Sequence, residues 1–130
     1  MNWHKGIKDL LDDNSSVTAL VSTRIFPLVA PAATITPYIT YEVVGATVHN
    51  TKENPAAHLS SVEIVGYCDT YAEAAALGTQ MINAMKHKSW TSGALSIDKT
   101  FIKDQNIERL NDPTRYAFVL EVNCFVPYKN

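Results

Sequence analysis

The residues of this 130-residue chain whose types invite chemistry are four histidines, three strand-borne glutamates and one basic–aromatic cluster. His4, His49, His58 and His87 have no metal-ligand spacing. His49 and His58 share a polar stretch with Asn50, Lys52, Glu53 and Asn54, which reads either as a metal-holding pair or as solvated loop histidines. No cysteine lies nearby to favour the first reading. Glu42, Glu63 and Glu121 fall in strand-like segments and could converge on one sheet face. Paired carboxylates there would permit general acid–base work, and a polar sheet face accounts for them equally. Lys86, His87 and Lys88, followed by Trp90, could meet a nucleic acid, although cations also suit the negative end of a helix dipole. The chain contains no G-x-S-x-G, H-E-x-x-H or C-x-x-C, and its five glycines are isolated, so no phosphate-cradling loop is expected. Neither a catalytic set nor a cofactor is predicted.

Hydrophobic residues make up 46% and charged residues 18%, a globular balance that excludes a disordered chain. The length suits a single domain over residues 1–130. A net charge of −2 argues against a dedicated nucleic-acid binder. Cys68 and Cys124 are too few for a disulfide scaffold, and both are expected to stay free thiols in a reducing cytoplasm. Lys5, Lys8 and Asp9 precede any apolar run, so no signal-peptide core is expected. The most apolar stretch, Phe26 to Tyr41, is broken by Pro27, Pro31 and Pro37, so no membrane span is expected.

Trp3, Ile7, Leu10 and Leu11 form one helical stripe, ended by Asp12, Asp13 and Asn14. Ser15 or Ser16 then caps a second short helix carrying Val17, Leu20 and Val21, giving a helical hairpin. Proline-flanked Arg24 to Val29 suits an edge strand. Tyr38 to Thr47 and Leu59 to Cys68 read as strands joined by a polar connection, Val48 to His58. On the second of these, Val62, Ile64 and Cys68 share one face, and Glu63, Val65 and Tyr67 the other.

Thr70 and Glu73 have capping-box spacing. Tyr71, Ala75, Gly78, Ile82 and Met85 then predict the main helix, Tyr71 to about His87, with small residues early in it that allow close approach to a sheet. A loop at Ser89 to Gly93 precedes an irregular strand within Ile97 to Leu110, where a bulge or exposed edge is expected. The turn Asn111 to Thr114 leads into a last strand, Tyr116 to Val126, apolar on both faces. The expected fold is α+β: a mostly antiparallel sheet, a main helix after the third strand and a short N-terminal helical hairpin.

The order of segments resembles that of the tail terminator, or tail completion, proteins of bacteriophages, small tail components long grouped as a domain of unknown function. The matching pieces are V-T-A-L-V-S-T-R-I-F-P from Val17 to Pro27, P-Y-I-T-Y from Pro37 to Tyr41, and V-E-I-V-G-Y-C-D-T-Y-A-E-A from Val62 to Ala74. D-P-T-R-Y from Asp112 to Tyr116, followed by an alternating strand, completes the series. The match runs over roughly Ile7 to Tyr128. Lys99 to Leu110 departs from it by its poor alternation.

The resemblance implies a structural protein, not an enzyme. It would form a ring, usually of six copies, at the head-proximal end of the virion tail after assembly in the host cytoplasm. Its implied partners are itself, the tail tube protein and the head connector, with DNA passing through the lumen without sequence-specific binding. No contact residue carries over from the family. From its composition, the polar stretch with His49, Asn50, Lys52, Glu53, Asn54 and His58 is the first candidate for touching a neighbour or the tube. Other readings are a head–tail connector-ring subunit, a small ligand-binding or enzymatic α+β domain with Glu63 and Glu121 in a pocket beneath the helix, and an RNA-binding module stacking bases on Tyr38, Tyr41 and Tyr67.

Overall fold

The computed structural model describes residues 3–50, 55–93, 95–111 and 114–127. Two helices, α1 (Lys5–Asp12) and α2 (Ser15–Val21), lead into β1 (Ile25–Pro27), β2 (Tyr38–Asn50) and β3 (Pro55–Cys68). The main helix α3 (Tyr71–Met85) follows, then β4 (Trp90–Ser92), β5 (Leu95–Ile97), β6 (Lys99–Leu110) and β7 (Arg115–Pro127). The principal sheet has the order β1-β2-β3-β7-β6, and β4 with β5 forms a separate small hairpin. Every pairing in the principal sheet is antiparallel except β1 with β2. The expected α+β class is the observed one.

The helices gather on one face. Trp3, Ile7 and Leu11 from the first helix and Val17 and Val21 from the second are buried with Leu77, Met81 and Met85 of α3. Below them lie Ile39 and Tyr41 of β2, Val62 and Ile64 of β3, and Leu120, Val122 and Val126 of β7. Local chemistry differs from expectation at the helix starts. Asn14, read as a terminator, is the cap of α2: its side-chain oxygen accepts from the Ser16 and Val17 N–H groups at 3.0 and 3.1 Å. A short polar side chain between two helices serves both purposes, because it competes with the first helix's main chain and satisfies the second's orphan donors. Leu20 faces outward rather than into the core.

In α3 the Thr70 hydroxyl accepts the Glu73 N–H at 3.1 Å, as the spacing predicts. The Glu73 carboxylate returns to the Thr70 hydroxyl, also at 3.1 Å. The buried stripe is Ala74, Leu77, Gly78, Met81, Ala84 and Met85, rotated slightly from the expected one. Tyr71 and Ile82 lie at its margins, and the Tyr71 ring meets Tyr116 edge-on at 6.1 Å. Gly78 and Gly66 set the distance between layers. A methyl group on Gly78 would lie 2.3 Å from the Phe118 ring, and one on Gly66 would lie 2.6 Å from Leu77.

The helix ends at Met85, earlier than expected, because Lys86 turns to extended backbone and His87 adopts φ +51°. Buried Thr100 of β6 fixes this exit. Its hydroxyl donates to the Met85 carbonyl and accepts the Lys88 N–H at 2.9 Å, while its main chain bonds His87 and Lys88. The expected loop at Ser89 to Gly93 instead contains β4. Trp90 is buried there, and its indole N–H donates to Asp9 of α1 at 3.0 Å.

The expected polar connection Val48 to His58 is mostly strand. The ladder continues through Val48↔His58, His49↔Ala57 and Asn50↔Pro55. Polar side chains end a strand only when the main chain loses its partner, and here each strand supplies one for the other. The irregular strand is as expected an edge, with a bulge between Ile102 and Asp104. Cys124 pairs with Ser60 and Cys68 with Tyr116, so the two cysteines are eight residues apart along the sheet, about 26 Å at strand rise. Burial pushes the Cys68 and Cys124 thiols up to about 11 and about 12, and both stay protonated and free.

Two stability predictions follow from these contacts. Thr70→Ala removes the cap and lowers stability by about 1 kcal/mol, read by chemical denaturation. Gly78→Ala at an exposed helix site would stabilise by up to about 1 kcal/mol. Against the Phe118 ring the overpacking cost of about 1–3 kcal/mol exceeds that gain, so a net loss is expected. An unchanged or raised midpoint would show that the layers can part without penalty.

Candidate functional site

Among the described residues no helix covers the second face of the sheet, and that face is organised in three bands. At one end the Tyr38 and Tyr67 rings stack at 4.8 Å. Arg115 lies 5.9 Å from the Tyr38 ring and donates to the Tyr38 hydroxyl at 3.2 Å. The loop after β1 leaves a cleft of about 370 Å³ above these groups, walled by residues 28–34. At the other end Ser61 bonds Asn123 at 3.0 Å, and Phe101 meets Phe125 edge-on at 5.6 Å.

Between them runs a row of carboxylates. Glu42 pairs with Glu63, Glu63 with Glu121, and Glu121 with Asp104, one acid from each of four adjacent strands. The convergence of Glu42, Glu63 and Glu121 allowed by the sequence is therefore realised. Asp104 joins them because the β6 bulge shifts its register. That bulge also brings Lys103 to Glu121, at 3.2 Å. Like charges directly opposite one another destabilise a sheet. Here Glu63 bears the largest consequence: burial first, then Glu42, Glu108 and Glu121, push its carboxyl above the usual range. The adjoining depression, about 120 Å³, is shallow and acidic, and lies on the opposite side of the sheet from α3. The pocket that would favour the alternative ligand-binding or enzymatic reading, with Glu63 and Glu121 beneath the helix, is thus not formed among the described residues.

The other anticipated groups separate. His49, Asn50 and His58 belong to the paired ends of β2 and β3, and Lys52, Glu53 and Asn54 lie outside the described residues. His49 pairs with Ala57, one rung from His58. Tyr41 is buried on the helix face, so the anticipated platform of Tyr38, Tyr41 and Tyr67 does not exist. The remaining two tyrosines are stacked on each other. Trp90 is turned inward to Asp9, away from Lys86, His87 and Lys88, so the basic–aromatic cluster is dispersed. The His87 ring instead meets Phe101 edge-on at 5.6 Å. Among the described residues, no group of three or more His, Cys, Asp or Glu is arranged to hold a metal, and no helix is long and apolar enough to cross a membrane. The terminal strand is less apolar on its open face than expected, since Glu121 and Asn123 interrupt it.

The sign of the Glu63 effect follows from linkage. A carboxyl whose pKa is higher folded than unfolded binds its proton more tightly in the native state. Stability therefore rises as pH falls from neutral through the raised value, and stops rising below the ordinary carboxylate range. Glu63→Gln removes the charge permanently. It is expected to raise the melting temperature at pH 7 by roughly 1–4 °C, the scale of one cross-strand charge pair, with the gap closing near pH 4. A variant less stable than the parent at pH 7 would show that the charge is compensated.

No family model and no curated protein matches the chain. Among solved structures, the fold is shared with a chain from the virion of a native gene transfer agent particle, with a TM-score of 0.79 at 15% identity. The likeness spans 95% of this chain and 92% of that one.

Proposed function

We propose that the protein is a structural component of a phage or prophage particle, and specifically a tail terminator. In this reading it forms a closed ring, usually of six copies, on the head-proximal end of the tail tube. The ring halts tube polymerisation and presents a surface to the head connector, while DNA passes through its lumen. The observation that carries the reading is the end-to-end likeness of fold to a virion chain. It is joined by the ordered series of sequence segments that resemble the terminator family. The open sheet face is also consistent with it. Stacked tyrosines beneath the cleft, an acid row and exposed Phe125 make a broad, chemically mixed surface, as suits contact with other proteins. A net charge of −2 suits a channel that lets DNA slide without holding it.

Disrupting the gene in its phage or prophage is expected to give overlong tails unattached to heads, visible by electron microscopy, with heads packaged normally. Purified protein added to growing tail tubes is expected to arrest them. The same protein mixed with tail-less heads is expected not to bind; binding to heads alone would favour a connector subunit instead. Deleting Asn50 to Ala56, where β2 gives way to β3, is expected to preserve the fold while weakening ring formation or capping. Normal tail lengths with this deletion would move the contact to the sheet or helices.

A further inference from the structure

Above the stacked tyrosines, the open face carries a cleft whose floor is made of hydrogen-bond donors. The register Tyr38↔Tyr67↔Ala117 puts both rings on that face, and Arg115, two residues before Ala117 on β7, shares it. These three residues and Thr40 line the base of the cleft, whose volume of about 370 Å³ suits a small group of side chains. Arg115 donates to the Tyr38 hydroxyl oxygen at 3.2 Å, and the buried Thr40 hydroxyl donates to that of Tyr67. Each tyrosine oxygen thus already accepts a bond, which leaves both hydroxyl hydrogens to be given elsewhere. The guanidinium N–H groups not spent on Tyr38 add to them. Among the described residues no carboxylate forms an ion pair with Arg115, and no other charged residue lines the cleft.

The wall is apolar and held in one shape. It consists of residues 28–34, all aliphatic or proline as far as Thr34. The Leu28 N–H donates to the Tyr41 carbonyl at 2.9 Å, and the Thr34 N–H to that of Pro31 at 3.2 Å. Leu28 (φ +63°) and Ala33 (φ +64°) adopt the left-handed region, which disfavours residues with a Cβ. Such strain persists where the surrounding structure fixes the backbone, and it gathers at ligand clamps. The same segment turns its larger side chains to solvent: Leu28 is 66% exposed and Val29 76%. Donors at the base and aliphatic groups at the rim offer one set of partners to an acid and another to an apolar residue beside it.

We propose that this cleft binds a carboxylate side chain carried on a peptide segment of another protein. The acid is seated on Arg115 and the two tyrosine hydroxyls, and an adjoining aliphatic residue packs on Leu28 and Val29. The proposal goes beyond the terminator reading and does not depend on it. An ionised carboxylate is acceptor-only, so it satisfies a floor of donors without bringing donors of its own, as an amide would. Its bonds to a guanidinium are charge-assisted and roughly twice as strong as neutral ones. The surroundings favour a single negative charge. Glu63 and Glu108 act on Tyr67 from the same face of the sheet, so a phosphate dianion would gain from one cation and be opposed by two acids. A free small carboxylate would satisfy the floor but leave the exposed aliphatic rim uncovered, whereas a peptide covers both.

The test is a titration of the isotopically labelled full chain, followed by amide NMR shifts, with a blocked pentapeptide that carries one Glu among leucines. Its Gln counterpart, sodium acetate and inorganic phosphate are the comparisons. The acidic peptide is expected to shift residues 28–34, Tyr38, Tyr67 and Arg115, and to bind at least roughly tenfold tighter than the Gln peptide or acetate. Arg115→Gln is expected to abolish the preference for Glu over Gln. Tyr38→Phe, which keeps the ring stack, is expected to reduce it. Val29→Ser is expected to weaken the peptide and leave acetate unchanged. Thermal melts check that each variant is folded, and Tyr38→Phe carries the test if Arg115→Gln is not. Equal binding of the Glu and Gln peptides, or shifts confined to another surface, would overturn the site. Acetate binding as tightly as the acidic peptide, or phosphate more tightly than either, would overturn the ligand assigned to it. No arm uses tails, so failure of this site leaves the terminator reading standing, and failure to cap tubes leaves the site standing.

Discussion

At Gly78 the backbone of α3 approaches the sheet so closely that the Phe118 ring occupies the space a side chain would take. That contact fixes how far apart the two layers lie, and the remaining helical layer is built on it. The faces of α1 and α2 are completed by the same helix, with Trp3, Ile7, Leu11 and Val17 fully buried against its apolar neighbours. Thr100 holds the other end of α3 to β6 through a buried hydroxyl that both donates and accepts. Close-packed interiors transmit such constraints, because neighbouring side chains have little room to relax.

Putting the three described helices on one side leaves the opposite face to be stabilised by its own cross-strand pairs. Two of its bands are favourable, the stacked tyrosines with Arg115 and the Ser61–Asn123 bond with the Phe101–Phe125 pair. The band between them opposes them, with four carboxylates in register and Lys103 at Glu121 as the counter-ion described in contact with it. Since the helix face supplies the apolar burial, the sheet tolerates this cost. The raised Glu63 carboxyl is its visible sign.

Period and cap chemistry made much of this legible in the sequence. The capped start of α3, the alternation of β7, the edge character of β1 and the irregularity of β6 all follow from local residue types. What escaped notice depends on partners far along the chain. Asn14 reads as a terminator until the following N–H groups are seen to need it. His49 and Asn50 read as loop residues until β3 is seen to pair with them. Trp90 looks like an aromatic neighbour of cations, but Asp9, 81 residues earlier, turns it inward. The three glutamates were visible as candidates. Their fourth member, Asp104, was not, because only a bulge places it in the row. The likeness to a virion chain at 15% identity fits this pattern, since layer spacing and strand order can persist while the residues that decorate them change.

The place of β7 in the sheet has a consequence in time. It is the last of the described strands in chain order, yet it lies between β3 and β6 and gives both their partner. The 46 residues between Cys68 and Arg115 must be made before β3 can acquire its second neighbour, about 2–9 s at ordinary rates of synthesis. During that interval the β2–β3 hairpin can form, but one side of β3 has no strand beside it. The apolar rungs Val62 and Ile64 lack the Val122 and Leu120 that will flank them. Such nonlocal closure slows folding and exposes an adhesive edge to other nascent chains. The chain thus passes through a stage at which premature association is the main hazard, and a chaperone that shields β3 would act at that stage.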